Sequence, residues 1–273
     1  MTLKTILIKE LFPHLKLKDK NNSLFKKFYI YSSILIEIWM IIFIFLYMLL
    51  PYIAQDTYKN NNMIFYQYKK SNNENTSHYF SKIEKTLSTN TLYSKKVNID
   101  FYLFTNKYMY KIFNPIEWLP NRQTFAVTQS RHIFVKNADI TKNKAYASNN
   151  TYENLDAILV HEAIHVFQNA KYGWIYTSFK MPYWVKEGYP IYSARSLSLY
   201  GEKEIIEYML KTKDTMINKW TPFVQDQFYG LMVKHAIEKM HKTVDELHEG
   251  KVDFNEVWDS LLVEYNTTKE EKR

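Results

Sequence analysis

Between Lys27 and Pro51 lie 23 residues, Phe28 to Leu50, whose only charged side chain is Glu37. A helix needs about 20 apolar residues to cross the hydrocarbon core of a bilayer, so this run is long enough to span. The core of a small soluble domain does not suit it, because Trp39, Phe43, Phe45 and Tyr47 make the helix apolar all round instead of along one stripe. A cleaved leader fits less well, since the run is too long and its end lacks the small-residue pattern of a cleavage site. The chain is therefore expected to cross a membrane once through residues 28–54, with Glu37 near the lysine-rich end, where it can reach the interface.

Charge sets the orientation. The net charge is +8, and residues 1–27 carry seven lysines against Glu10 and Asp19, so most of the excess sits in this basic N-terminus. Only Lys59, Lys69 and Lys70 follow within 20 residues of the run's end. The asymmetry predicts a cytoplasmic N-terminus and a main body on the outer face of the membrane. The body itself is almost neutral, so nucleic acid is not expected as a partner.

Composition removes further classes. Cysteine is absent, which excludes disulfide frameworks, thiolate metal sites and cysteine nucleophiles. Five glycines and no glycine-rich phosphate motif exclude a nucleotide cradle. Any metal must be held by His, Asp or Glu.

Beyond the apolar run, residues 55–76 are rich in Asn, Lys and Ser and read as a stalk with one short strand, Met63 to Tyr66. Residues 77–273 read as one α+β domain. A helix is expected over 77–93 and strands over 97–104 and 125–135, with an Asn- and Lys-rich loop over 136–150. Helices follow over 151–171, 182–199, 201–213, 222–241, 244–249 and 254–265. Thr243 with Glu246 and Asp253 with Glu256 read as capping boxes, and Gly250 as the stop between them.

The helix expected over 151–171 contains His161-Glu162-Ala163-Ile164-His165. Four residues are just over one helical turn, so both imidazoles leave the same face and can share one metal ion. Glu162 stands beside them, where it can accept a proton from a water activated by that metal. With 8 His and 18 Glu in 273 residues, chance would supply such a spacing only roughly 0.015 times. Leu155, Ile158, Leu159, Ile164 and Phe167 give the helix an apolar stripe, and packing alone does not explain two histidines and a glutamate beside it. A catalytic zinc site asks for a third protein ligand and one open position. The extended pattern with Gly at 168 and His at 171 is absent, because these are Gln168 and Lys171. Twenty-two residues after His165 comes Glu187, in Pro182-Tyr183-Trp184-Val185-Lys186-Glu187-Gly188, where Pro182 opens a helix and Glu187 falls on its second turn. Glu187 is the expected third ligand.

HExxH followed at this distance by WxxEG resembles the gluzincins, and more narrowly the peptidase MA-like zinc metallopeptidases, over about residues 98–265. The resemblance implies a zincin-like fold with a small mixed sheet before the active helix and a helical C-terminal half. It implies one Zn2+ per chain on His161, His165 and Glu187, and hydrolysis of a peptide or protein substrate with Glu162 as general base. It further implies an oxyanion-stabilising Tyr or His in a later helix, for which Tyr229 is the candidate and His235 the weaker one. The strand over 125–135 would then be the edge that pairs with an extended peptide, with Ser130, Arg131 and His132 near it. Two departures stand out. Position 191 is Ile where the thermolysin-like pattern has an Asp that orients a ligand histidine, so the orienting group is not identified. Pro190 stands where Ala is common, and within a helix it is expected to bend the chain or cut it short. Two other readings compete with an active peptidase: a catalytically inactive zincin-like binding module tethered to the membrane, and an anchored structural protein with an accidental motif.

Overall fold

The computed structural model describes residues 23–69, 73–113, 126–146, 152–194, 202–212 and 222–270. The basic segment 1–22 and residues 195–199 of the helix expected over 182–199 lie outside the described residues. The chain divides after Leu50 into two compact units.

The first unit is dominated by α1 (Ser23–Ile53). Its stretch Tyr31–Ile53 is, by length and composition, long and apolar enough to cross a membrane. Pro51 lies in its last turn, two residues before the helix ends.

The second unit is α+β. Its central sheet is mixed, with the order β1-β2-β3-β5-β4, built from β1 (Asp56–Asn60), β2 (Met63–Gln67), β3 (Ile99–Leu103), β4 (Ala126–Gln129) and β5 (His132–Val135). β2, β3 and β5 run parallel, and β1 and β4 are antiparallel to their neighbours. A second sheet is small and antiparallel, formed by β6 (Ala138–Asp139), β7 (Lys144–Tyr146) and β8 (Tyr152–Asn154). Around these lie α2 (Asn73–Ser88), α3 (Lys107–Phe113), α4 (Leu155–Tyr172), α5 (Trp174–Phe179), α6 (Tyr183–Ala194), α7 (Glu202–Thr212), α8 (Pro222–Glu238), α9 (Val244–His248) and α10 (Phe254–Glu270).

The expected stalk is corrected: residues 56–67 are a hairpin that supplies two strands of the central sheet. Met63, Phe65 and Gln67 alternate into the interior, and Phe65 stacks on Phe101 at 4.4 Å and on Phe80 of α2 at 4.0 Å. Burying such rings outweighs the polar composition around them. The strand expected over 125–135 is likewise corrected to a hairpin, β4 and β5, turning at Ser130 and Arg131, with Ser130 at φ 58. Of these two strands β4 is at the edge among the described residues, and β5 lies between it and β3. The loop expected over 136–150 holds β6 and β7, joined by a turn at Asn143.

That turn starts the central helix. The backbone carbonyl of Asn143 accepts from the N–H of Leu155 (3.1 Å), and its side-chain oxygen accepts from the N–H of Asp156 (3.0 Å) and the hydroxyl of Tyr79 (2.7 Å). Two otherwise unpaired donors at the N-terminus of α4 are satisfied in this way, without a side chain from its own flank. Helix α4 then begins at Leu155 rather than at 151, and carries Leu155, Leu159, Ile164 and Phe167 fully buried against the sheet and α2.

The capping box at Thr243 is present in both directions. Asp253 caps α10 by accepting from the N–H groups of Asn255 (2.8 Å) and Glu256 (3.1 Å).

Candidate metal centre

Helix periodicity places His161 and His165 on one face of α4, with their Nε2 atoms 3.1 Å apart. From α6, Glu187 brings Oε2 to 3.3 Å from Nε2 of His165 and 3.9 Å from Nε2 of His161. The three expected ligands thus meet as one group. A tetrahedral zinc with bonds of about 2.0–2.1 Å separates its ligand atoms by about 3.3 Å; two edges of this triangle, 3.1 and 3.3 Å, are of that size and the third, 3.9 Å, is longer, so the residues present fit the ion after a small closing of Glu187 on His161.

The protonation pattern fits as well. Burial, and then the neighbouring His165, hold His161 down at about 3. Burial also opposes charge on His165, but the Glu187 carboxylate against it prevails and raises it to about 9. Burial works to raise Glu187 too, and the two imidazoles, His165 foremost, bring it down to about 2. The buried triangle thus favours positive charge beside the Glu187 carboxylate, as a metal cation requires.

What holds Glu187 in place is the crossing of α6 and α8. A Cβ at Gly188 would lie 2.4 Å from the backbone oxygen of Tyr229, and one at Gly230 would lie 2.4 Å from Cγ2 of Ile191. The two glycines let the helices approach backbone to backbone directly after the third ligand. Trp184, nearly buried, packs edge-on against Phe254 at 5.8 Å, and Phe254 also meets Phe228 and Tyr229 of α8, so the same crossing is held by a shared aromatic contact.

Helix α6 passes through Pro190 and continues to Ala194, so the proline does not cut it short at that point. Proline cannot donate to the carbonyl four residues earlier, which belongs to Lys186. That carbonyl accepts instead from the side-chain amide of Gln168 at 3.3 Å. The same Gln168 accepts from Nδ1 of His165 at 3.0 Å and lies 3.1 Å from Nε2 of His248, a fully buried residue to which the sequence assigns no role.

Glu162 is turned to the sheet. The hydroxyl of Thr128 in the edge strand β4 donates to its Oε2 at 2.5 Å. Burial raises the Glu162 carboxyl above the ordinary range, with His165 and Thr128 pulling the other way. A carboxylate raised in this way is a stronger base than one in water.

The remaining candidates have partners of their own. Tyr229 is buried in α8, where its hydroxyl accepts from Gln225 (2.7 Å) and its ring meets the edge of Tyr183 at 5.9 Å. Its described polar contact is thus with Gln225, and the metal ligands meet without it. His235 is not on a solvated face but buried, bonded to Ser260 (2.9 Å) and paired with Glu264 (3.2 Å), and it ties α8 to α10. His132 pairs with Asp100 at 3.2 Å, on the sheet face that carries Tyr102, away from Glu162. Ser130 and Arg131 are exposed in the hairpin turn.

Sequence reasoning missed Asp226 in the first turns of α8. Its Oδ1 is buried and makes no hydrogen bond among the described residues. Burial, and then the Glu187 carboxylate, push it up to about 7. Nothing in its spacing marks it among the acidic residues. Because its pKa is raised on folding, the folded protein keeps between about pH 4 and 7 a proton that the unfolded chain releases, so this contribution to stability is lost as pH rises through that window. In the metal-free protein Asp226→Asn is expected to remove this slope and to stabilise at pH 8 by on the order of 2 kcal/mol, the value being discounted for partial exposure. Urea unfolding at pH 5 and 8 checks this, and an unchanged slope in the variant would contradict it.

Neither a protein-family model, nor a curated protein, nor a solved structure matches this chain.

Proposed function

We propose that this protein is a membrane-anchored zinc-dependent metallopeptidase. The observation that carries the reading is the meeting of His161, His165 and Glu187 from two helices in a triangle of zinc-ligand dimensions, with Glu162 beside it. A zinc ion held there would supply Lewis-acid polarisation of a water and of the scissile carbonyl. Glu162 takes the proton of the attacking water as its oxygen bonds to the carbonyl carbon, and delivers that proton to the amide nitrogen as the C–N bond breaks. Thr128 orients the Glu162 carboxylate through the hydrogen bond to Oε2, leaving Oε1 to receive the proton. β4 ends the central sheet among the described residues, so an extended substrate segment added alongside it runs past Glu162.

The anchor is the apolar helix Tyr31–Ile53. With the lysine excess on its N-terminal side, the N-terminus is cytoplasmic and the catalytic unit lies outside, which directs it to envelope or surface proteins.

The test is incubation of the zinc-loaded full chain in detergent with a mixed peptide library, products being read by mass spectrometry. Zinc-dependent cleavage abolished by a chelator is the expected result. Stoichiometric zinc without cleavage of any peptide would reject the enzyme and leave a tethered binding module.

A further inference from the structure

The hydrogen bonds around Gln168 have only one consistent polarity. Nδ1 of His248 lies 2.7 Å from the carbonyl of Val244 and must donate to it, so Nε2 of the neutral ring is an acceptor. The carbonyl of Lys186 is also an acceptor. Both are therefore served by the two N–H groups of the Gln168 amide, at 3.1 and 3.3 Å. A flipped amide would set its oxygen against two acceptors, so the orientation follows from the partners. The Gln168 oxygen is left facing Nδ1 of His165 at 3.0 Å, where it accepts. His165 is thereby held with a proton on Nδ1, so that Nε2 is the atom turned toward Glu187 and His161 and the one left to bind a metal. His248 itself is locked: it is fully buried, stacked on Tyr172 at 4.9 Å and met edge-on by Tyr189 at 4.8 Å.

On the metallopeptidase reading, we propose that Gln168 is the positioning residue of the metal centre, fixing the tautomer of His165 from a place held by His248 of α9, so that zinc affinity depends on the docking of a helix 80 residues further along the chain. Gln168 takes over the part that an acidic residue four positions after the third ligand would play, a position filled here by Ile191. Its second bond also explains why Pro190 is tolerated, because one amide serves both the ligand and the carbonyl that proline leaves open. The outer partner of a ligand histidine typically controls metal affinity by 10–100-fold.

The experiment measures zinc affinity of the full chain in detergent by competition with a chelating dye, together with the 15N spectrum of histidine-labelled protein with and without metal. Gln168→Met is expected to weaken zinc about 10–100-fold and to lose the Nδ1-protonated signal of His165. His248→Phe keeps a ring between Tyr172 and Tyr189 but removes the acceptor, and is expected to weaken zinc in the same direction. Gln168→Met combined with Pro190→Ala returns a donor to the Lys186 carbonyl, so thermal stability recovers while zinc affinity stays low. Recovery of zinc affinity together with stability, or unchanged affinity and tautomer in Gln168→Met, would overturn the role. A wild type that binds no zinc would instead overturn the metallopeptidase reading, while the His165 Nδ1–H resonance in metal-free wild type and Gln168→Met would still decide whether Gln168 holds that proton.

Discussion

Glu162→Gln is expected to lower peptide hydrolysis by about 10³-fold or more while leaving one zinc per chain. The glutamine is nearly the same size and can still accept from the Thr128 hydroxyl, so the helix and its neighbours have no reason to move. It cannot take a proton from the attacking water, and this is the property that burial strengthens in the native carboxylate. The ligand triangle is built by His161, His165 and Glu187 without it, so metal content is unaffected. Kinetics on a cleaved library peptide, paired with metal analysis of the same sample, checks this. Activity within a few-fold of wild type would remove Glu162 from the chemistry.

Gly188→Ala carries the second large effect, on stability and on the metal together. The added methyl would stand 2.4 Å from a backbone oxygen and 2.6 Å from a backbone carbon of Tyr229, and no rotation of a side chain can relieve that contact. Helix α6 and α8 must separate. Overpacking of this kind costs about 1–3 kcal/mol or more, and the gain in helix propensity offsets about 1 kcal/mol of it. A net loss of about 2 kcal/mol lowers the midpoint of a domain this size by about 4–8 °C. Because Glu187 is the adjacent residue, zinc affinity should fall with it. Gly230→Ala should be somewhat milder but still destabilising, since its methyl meets Cγ2 (2.4 Å) and Cβ (2.9 Å) of Ile191 rather than the facing backbone. Equal, negligible shifts for both variants would show that the crossing is looser than the distances imply.

The legible parts of the site are those that helical periodicity alone determines. His161 and His165 share a face because they are four apart, and Pro182 with Trp184 marks the helix on which Glu187 sits. The α+β division, the order of helices and the apolar N-terminal helix were legible for the same reason: each is a matter of local pattern. What was hidden depends on partners distant in sequence. Residues 56–67 look like a stalk because Asn and Lys surround them, yet Met63 and Phe65 become core only when Phe101 and Phe80 arrive. The turn at Ser130 and Arg131 has no glycine or asparagine to announce it, so two strands read as one. Pro190 reads as a break because the donor that compensates it comes from another helix. His248 lies 80 residues from Gln168, and no spacing rule connects them.

The same limit applies to Tyr229. Its position in a later helix is as expected, but what the crossing uses is its backbone, packed on Gly188, while its hydroxyl is engaged by Gln225.

The measurement that tests the central claim most directly is zinc content per chain of the folded full-length protein, wild type beside Glu187→Ala. About one zinc in the wild type, lost or sharply reduced in the variant, is the result the three-ligand centre predicts. A folded wild type without stoichiometric zinc, or a variant that keeps its zinc, would contradict it.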